Sequence, residues 1–341
     1  VHLHAEILTV HTRHPFFIAR GGTSEYRVVW VRLVDSDGAE GWGEAAPSKF
    51  YGETADTVLV ALERLRPVLT KADSWSIEAI ERECERAIRW NAAARCAVSA
   101  ALHDLAAKRL GVPLWKLWGL DPAAAPRSSF TIGIAPDEPT LRARAREAAH
   151  FPILKIKLGS SWDRDVLRIV REEAPQAILR VDANCAWTAK QALGMLDALT
   201  GVGVDLLEQP LAPDDLAGLK FVRERSPIPV VADESCVIAS DIPKLEGVVD
   251  GVNIKLAKCG SLREALRMIA VARAHGMRVM CGCMIETSLG IAAAAHLAPL
   301  LDDADLDGAA LLADDPFAGT GMVDGRIVLS EGEGLGVVRR V

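Results

Sequence analysis

Five short apolar runs in this chain each close on a charge. They read "ILKIK" at 153–157, "ILRVD" at 178–182, "VDLLE" at 204–208, "VVAD" at 230–233 and "GVNIK" at 251–255, so the closing residues are Lys157, Asp182, Glu208, Asp233 and Lys255. Side chains alternate along an extended chain, which puts Lys155 on the same face as Lys157. Three carboxylates delivered by successive runs make an all-oxygen donor set for a hard cation, and Mg²⁺, which keeps positions open for a substrate, suits it. No histidine stands among them, which argues against zinc.

The two flanking cations define the chemistry. A carbon acid beside a carboxylate loses its proton only if the enediolate that forms is stabilised, and a cation bound to that carboxylate does so. Lys157 and Lys255, from well-separated runs, can then serve as base and acid on opposite faces. A lysine base must be neutral, and Lys155 and the cation both favour that form of Lys157. Lys155 is also placed to grip an oxygen of the substrate carboxylate. The competing view is that strands often end on a charge where the chain meets water. Five in succession without a neutral exception argue against it.

These residues need a scaffold that collects strand ends. Candidate strands Ser129–Ile134, Ile153–Lys157, Ile178–Asp182, Val204–Glu208, Val230–Asp233, Gly251–Lys255 and Arg278–Gly282 begin 24, 25, 26, 26, 21 and 27 residues apart. An eighth is expected at Leu306–Leu312, after a helix at Ile291–Leu301. This βα period, sustained eight times, predicts a (β/α)₈ barrel, whose active sites lie at the C-terminal strand ends. An open doubly wound sheet is the alternative, although no G-x-G-x-x-G or P-loop motif supports a nucleotide site. The first 50 residues read as antiparallel strands turning at Asp35-Ser36-Asp37-Gly38. Apolar spacing then predicts helices Ala55–Leu69, Ile77–Trp90 and Ala94–Arg109, so an α+β unit precedes the barrel. The expected division is 1–124, 125–315 and a returning C-terminal segment, 316–341.

Composition narrows the partners. The chain has 341 residues, half of them apolar, and a net charge of −7 without a basic stripe, so nucleic acid is not an expected partner. The longest nearly apolar run, Leu289–Leu301, is too short for a bilayer and contains His296, so no membrane partner is expected either. The N-terminal residues show no signal-peptide pattern. Seven cysteines, an odd number, point to free thiols and a cytoplasmic setting.

Beyond these readings, the motifs resemble the enolase superfamily over essentially the whole chain. The resemblance is carried by "GWGEAAP" and "ALHDLAAKRLGVPLWKLWG" in the first unit, and by the K-x-K at 155–157, "VDAN", "LLEQPL", "VADES" and "VNIKLAKCG" in the second. The match is to the muconate-lactonizing subgroup, which implies a barrel with a modified final unit and an N-terminal capping domain. It also implies Asp182, Glu208 and Asp233 as Mg²⁺ ligands and Lys157 and Lys255 as the acid/base pair. Within the subgroup, "GCMIETSLGIAAAAHLA", "ADLDGAALL" and "PFFIARGGTSE" are similar to segments of the dipeptide epimerases.

That likeness implies a small dipeptide, of Ala-Glu type, as substrate, and Asp305 and Asp307 as the pair holding its ammonium group. A homo-oligomer is also expected. Alternation along the expected eighth strand would put both aspartates on one face, whereas an acidic solvated loop is the plainer alternative. Arg20 is the candidate for a glutamate side chain, and Thr131 and Cys283 are candidates for either substrate contact or packing. "VDANCAW" departs from the subgroup, with Cys185-Ala186 where Gln-Gly is usual. A cycloisomerase or an o-succinylbenzoate synthase would use the same scaffold, a Schiff-base aldolase would use the lysines differently, and a non-catalytic binding barrel would use none of this chemistry.

Overall fold

A computed structural model describes residues 1–340; residue 341, the last of the expected C-terminal segment, lies outside them. Three antiparallel strands open the chain: β1 (His2–Ile18), β2 (Gly21–Val34) and β3 (Glu40–Ala45), paired in that order. The β1–β2 hairpin is long, and its tip at Ala19-Arg20-Gly21 turns on a glycine with φ +103°, a conformation other residues rarely adopt. Helices α1 (Ala55–Lys71) and α3 (Ala92–Arg109) pack on this sheet, and α2 (Ile77–Ala87) packs against both helices. α3 is rich in alanine and lies almost against the backbone of β3. A Cβ on Gly41 would stand 1.9 Å from Ala101 O, and one on Gly43 2.1 Å from Ala97 O. The α2 helix stops short of the expected Trp90, because Trp90 and Asn91 take left-handed backbone (φ +63° and +50°) and redirect the chain into α3.

The eight parallel strands are β4 (Phe130–Ile132), β5 (Ile153–Lys157), β6 (Ile178–Asp182), β7 (Val204–Glu208), β8 (Val230–Ala232), β9 (Gly251–Ile254), β10 (Arg278–Gly282) and β11 (Asp303–Asp305). Each pairs with its neighbour in sequence, and Ser128 bridges to Ala304, so first and last strands meet and the sheet is a barrel rather than an open sheet. Register then sets the rows inside it. Lys157, Asp182 and Glu208 pair side by side across β5, β6 and β7, while Lys155 and Arg180 pair one row below. Leu206, Val231 and Met280 form a small apolar cluster on the same faces of their strands. After the barrel the chain returns to the first unit: Phe317 packs edge-on to Trp30 at 5.6 Å between ring centroids, and Leu335 N donates to Asp104 at 2.7 Å.

The eighth strand corrects the sequence reading. It covers Asp303–Asp305, and Gly308–Leu311, expected within it, forms a 3₁₀ turn. The Gly-Ala-Ala stretch has no β-branched side chain to favour a strand. A Cβ on Gly308 would also lie 2.6 Å from Met284 O, so the turn fits only where glycine permits it. Instead, Asp303 sets the strand, accepting from Arg180 and Arg278 at the barrel floor.

Asp303 and Arg180 are both buried; Arg180 donates to Asp303 through Nη2, while Nη1 and Nε have no hydrogen bond and Nε only faces Asp205 at 3.7 Å. Replacing Asp303→Ala should therefore cost about 3–5 kcal/mol in urea unfolding, because a buried guanidinium loses its partner. The pair Asp303→Leu with Arg180→Met should recover most of that loss; equal losses in both proteins would show that the ion pair is not the source.

Candidate active site

The carboxylates of Asp182, Glu208 and Asp233 converge at the barrel's C-terminal rim, one oxygen of each within 4.8 Å of the others, all three buried. Two lysines hold opposite members of the set: Lys157 Nζ donates to Asp182 Oδ2 at 2.6 Å and Lys255 Nζ to Asp233 Oδ2 at 2.8 Å. Lys155, 1% exposed, lies one row deeper with its ammonium 2.7 Å from Asp305 Oδ2, 2.7 Å from Glu208 Oε2 and 3.3 Å from Asp182 Oδ2. It is held under the triad and is not among the side chains lining the cavity above.

These charges set one another's ionisation. Burial pushes Asp182 and Asp233 toward protonation, but the adjacent ammonium groups outweigh it and hold both below the usual carboxylate range. Glu208 has only a share of Lys155, so burial and the nearby Asp182 raise it to about 7. Burial alone would neutralise Lys155 and Lys255; Asp305 and Asp233, respectively, lead the carboxylates that keep them charged.

Can the site hold a hard cation? Four buried oxygens around it, Asn184 Oδ1, Glu208 Oε2, Glu234 Oε2 and Asn253 Oδ1, have no hydrogen-bond donor. Glu208 Oε2 faces the Lys155 ammonium without a directed hydrogen bond. Unfilled oxygen acceptors beside three carboxylates are the donor set that a divalent, oxygen-seeking cation requires, so the residues fit one.

The second acidic group lies across the same cavity. Asp305 ends β11, and Asp307 stands two residues later in the turn, so they converge through their hydrogen bonds rather than through strand alternation. Ser129 Oγ donates to Asp305 Oδ1 and the Thr131 backbone N–H to Asp307 Oδ2, both at 2.6 Å. Asp305 is therefore spoken for by Lys155 and Ser129, whereas Asp307 Oδ1 has only the Cys283 thiol, at 4.0 Å. Burial and the Asp305 charge raise Asp307 to about 7. Thr131 and Cys283 line the cavity beside this pair, and the cavity, about 720 Å³, runs from there past Lys157 and Lys255 to Arg20 at the hairpin tip. Arg20 is already engaged, donating to Asn184 O at 2.7 Å and Glu234 Oε1 at 2.8 Å, with Phe50 stacked 4.3 Å from its guanidinium.

Comparison with known proteins agrees with this arrangement. Residues 140–340 match the model of the enolase C-terminal domain-like family, and residues 3–119 that of the mandelate racemase / muconate lactonizing enzyme N-terminal domain. The chain belongs to the enolase superfamily. It is similar to an L-Ala-D/L-Glu epimerase of Bacteroides thetaiotaomicron, 39% identical over 96% of this chain and 85% of that protein. Among solved structures it resembles a dipeptide epimerase from Enterococcus faecalis complexed with Mg and the dipeptide L-Leu-L-Tyr (TM-score 0.93, 33% identity, 98% of each chain). It also resembles a substrate-liganded L-Ala-D/L-Glu epimerase from Bacillus subtilis (TM-score 0.94, 31% identity, 99% of this chain and 98% of that one).

Several residues of this superfamily site escaped the sequence reading. Lys258, 2% exposed, donates to Asp233 and to the carbonyls of Cys236 and Asn253 at 3.0 Å, locking two strand ends together. Asn253 donates to Glu208 Oε1 at 2.9 Å, and Gln209 Oε1 accepts the Asp233 N–H at the same distance. Glu234 anchors Arg20. Only parity offered a signal for one of them: Asn253 shares the strand face of Lys255.

Proposed function

We infer that this chain is a Mg²⁺-dependent dipeptide epimerase that inverts the α-carbon of the substrate's C-terminal residue. The observation that carries the reading is the position of two lysines, each bonded to a carboxylate at opposite ends of the Asp182–Glu208–Asp233 set, with a second acidic pair in the same cavity. The substrate carboxylate binds at the triad, above the buried Lys155 ammonium, which Asp305 and Glu208 hold beneath it. Lys157, as the neutral amine, takes the α-proton from one face, and the Lys255 ammonium returns one to the other; the reverse reaction exchanges the roles. Asp182, Glu208 and Asp233 would hold a cation, which would supply the charge that stabilises the enediolate.

Asp307, with Asp305 beside it, receives the dipeptide's ammonium group, a feature that cycloisomerase and o-succinylbenzoate substrates lack. Thr131 and Cys283 shape this end of the cavity. The side chain of the C-terminal residue points toward Arg20, which has engaged two of its N–H groups. The others are free to meet a carboxylate, which supports an Ala-Glu type substrate, while Glu234 offsets part of the guanidinium charge. No helix among the described residues is long and apolar enough to cross a membrane. All seven cysteines are free, in keeping with a reducing cytoplasm.

Incubating dipeptides in D₂O and following α-deuterium by mass spectrometry tests the reaction. Lys157→Ala and Lys255→Ala should each abolish epimerisation, and each should leave exchange from at most one stereoisomer. Full epimerisation by either variant would exclude the two-lysine scheme. Metal dependence is measured separately: Asp182→Asn, Glu208→Gln and Asp233→Asn should each abolish Mg²⁺ binding by calorimetry, and turnover that survives exhaustive chelation would contradict the metal role.

The ammonium site predicts a pH profile. Asp307 is charged only above about 7, so kcat/KM for free dipeptides should fall as pH drops through that value. In Asp307→Asn the fall should become shallower, leaving only the share due to Glu208, with a loss of about 1.5–3 kcal/mol at pH 8, the scale of a hydrogen bond to a charged group. N-acetylated dipeptides that react as well as free ones would remove the assignment.

A further inference from the structure

Past the two aspartates the cavity continues along a wall that proton transfer does not use. Met284 and Ile285 follow β10, and the turn ending in Leu311 follows Asp307. The two segments run side by side, since a Cβ on Gly308 would lie 2.6 Å from Met284 O and 3.0 Å from Glu286 N. Leu311 N donates to the Asp307 carbonyl at 3.2 Å, which fixes the leucine relative to the aspartate. Across from them the β1–β2 hairpin contributes Phe16 and Tyr26. Ile285, Leu311, Phe16 and Tyr26 all line the cavity, and they rest on Val10 and Leu312 in an apolar cluster separate from the main cores. Phe16, Tyr26 and Leu311 are only half-buried, and the Tyr26 hydroxyl is turned onto Phe16 O at 3.3 Å. The charged groups lining this part of the cavity, Glu25 and the Arg27–Asp56 ion pair, are exposed.

We propose that this wall is the subsite for the side chain of the dipeptide's N-terminal residue, and that it selects aliphatic residues, including ones larger than Ala. The inference rests on the epimerase reading. In a free dipeptide the first side chain is attached to the carbon that bears the ammonium group. Holding that group at Asp307 therefore confines the side chain to this end of the cavity, because the carbon's other branch is the peptide leading to the lysines. An aliphatic side chain replaces water against Ile285 and Leu311, whereas a charged one is desolvated there without a buried partner. The whole cavity, about 720 Å³, is of the size that takes drug-sized ligands and so can hold both side chains of a dipeptide.

The test is kcat/KM for a panel in which the C-terminal residue is fixed and the N-terminal one is Ala, Val, Leu, Met, Lys or Asp. Wild type should use the Leu and Met dipeptides at least as well as Ala, and about tenfold or more better than Lys or Asp, the range expected of an apolar pocket. Leu311→Glu should reverse the order of Leu and Lys at the first position and leave the ranking of C-terminal residues unchanged. Leu311→Ala, the milder change, should lower the Leu dipeptide relative to Ala and keeps the test open if the glutamate variant misfolds. Indifference of wild type to the first residue, or a Leu311 variant that alters only C-terminal preference, would overturn the subsite while leaving the epimerase standing. Absence of α-deuterium from every dipeptide would overturn both.

Discussion

Four lysine ammonium groups are buried in the upper barrel, and each is held by a carboxylate: Lys155 by Asp305, Lys157 by Asp182, Lys255 and Lys258 by Asp233. A single unpaired charge in such a place costs several kcal/mol, so no member of the group can move far without the others. This mutual pairing is the constraint on which the site depends. It also separates the carboxylates by role. Asp182 and Asp233 face Lys157 and Lys255 directly, and Glu208, which must share Lys155, is left with the weakest hold on its charge. A divalent cation held by Asp182, Glu208 and Asp233 would satisfy the acceptors left without donors.

The rest of the fold keeps that charge group in register. Parallel pairing aligns Lys157, Asp182 and Glu208 in one row, and Lys258 ties the ends of β8 and β9 to the same carboxylate. The first unit reaches into the barrel through Glu44, which accepts the Thr287 N–H at 2.9 Å at the start of helix Ser288–Ala295 and also bonds the Thr287 hydroxyl. Burial and the neighbouring Glu286 push Glu44 up to about 8, so it meets this helix N-terminus largely as the neutral acid. Here it also fixes the segment that carries Cys283, Met284 and Ile285. Asp104 has a parallel task, accepting from Trp42 N and Leu335 N at 2.7 Å, so that β3, α3 and the returning C-terminal segment share one carboxylate.

Legibility in the sequence followed the length over which a pattern had to hold. The βα period and the charges at Lys157, Asp182, Glu208, Asp233 and Lys255 could be read because each strand is a local apolar run ending at a fixed point. The eighth strand was misplaced because Leu306, Leu311 and Leu312 supply apolarity without a strand's conformation, while Asp303, the residue that seats the strand, looks like a loop acid until Arg180 and Arg278 are brought to it. Asp305 and Asp307 are legible through the resemblance, but the alternation offered for their shared face is one that the turn does not have; their convergence comes from Ser129 and Thr131, more than 170 residues away in sequence. Lys258 and Glu234 follow their strands inside motifs already quoted, but nothing local distinguishes a lysine that meets three strand-end carbonyls from one in solvent.

Arg20 fastens the hairpin tip to the barrel rim. Its guanidinium joins the carbonyl of Asn184, two residues after Asp182, to the carboxylate of Glu234, next to Asp233. The hairpin is further held by the Ile134 N–H, which donates to Phe17 O at 2.8 Å, and by Phe50 stacked on the arginine. A lid fastened to the two loops that carry the outer carboxylates is closed only while those loops keep their places. The equilibrium relation runs both ways, since whatever orders one side of a shared contact favours the other. The hairpin tip, the loop after β6 and the loop after β8 thus form one connected cover over the rim where Lys157 and Lys255 meet their carboxylates.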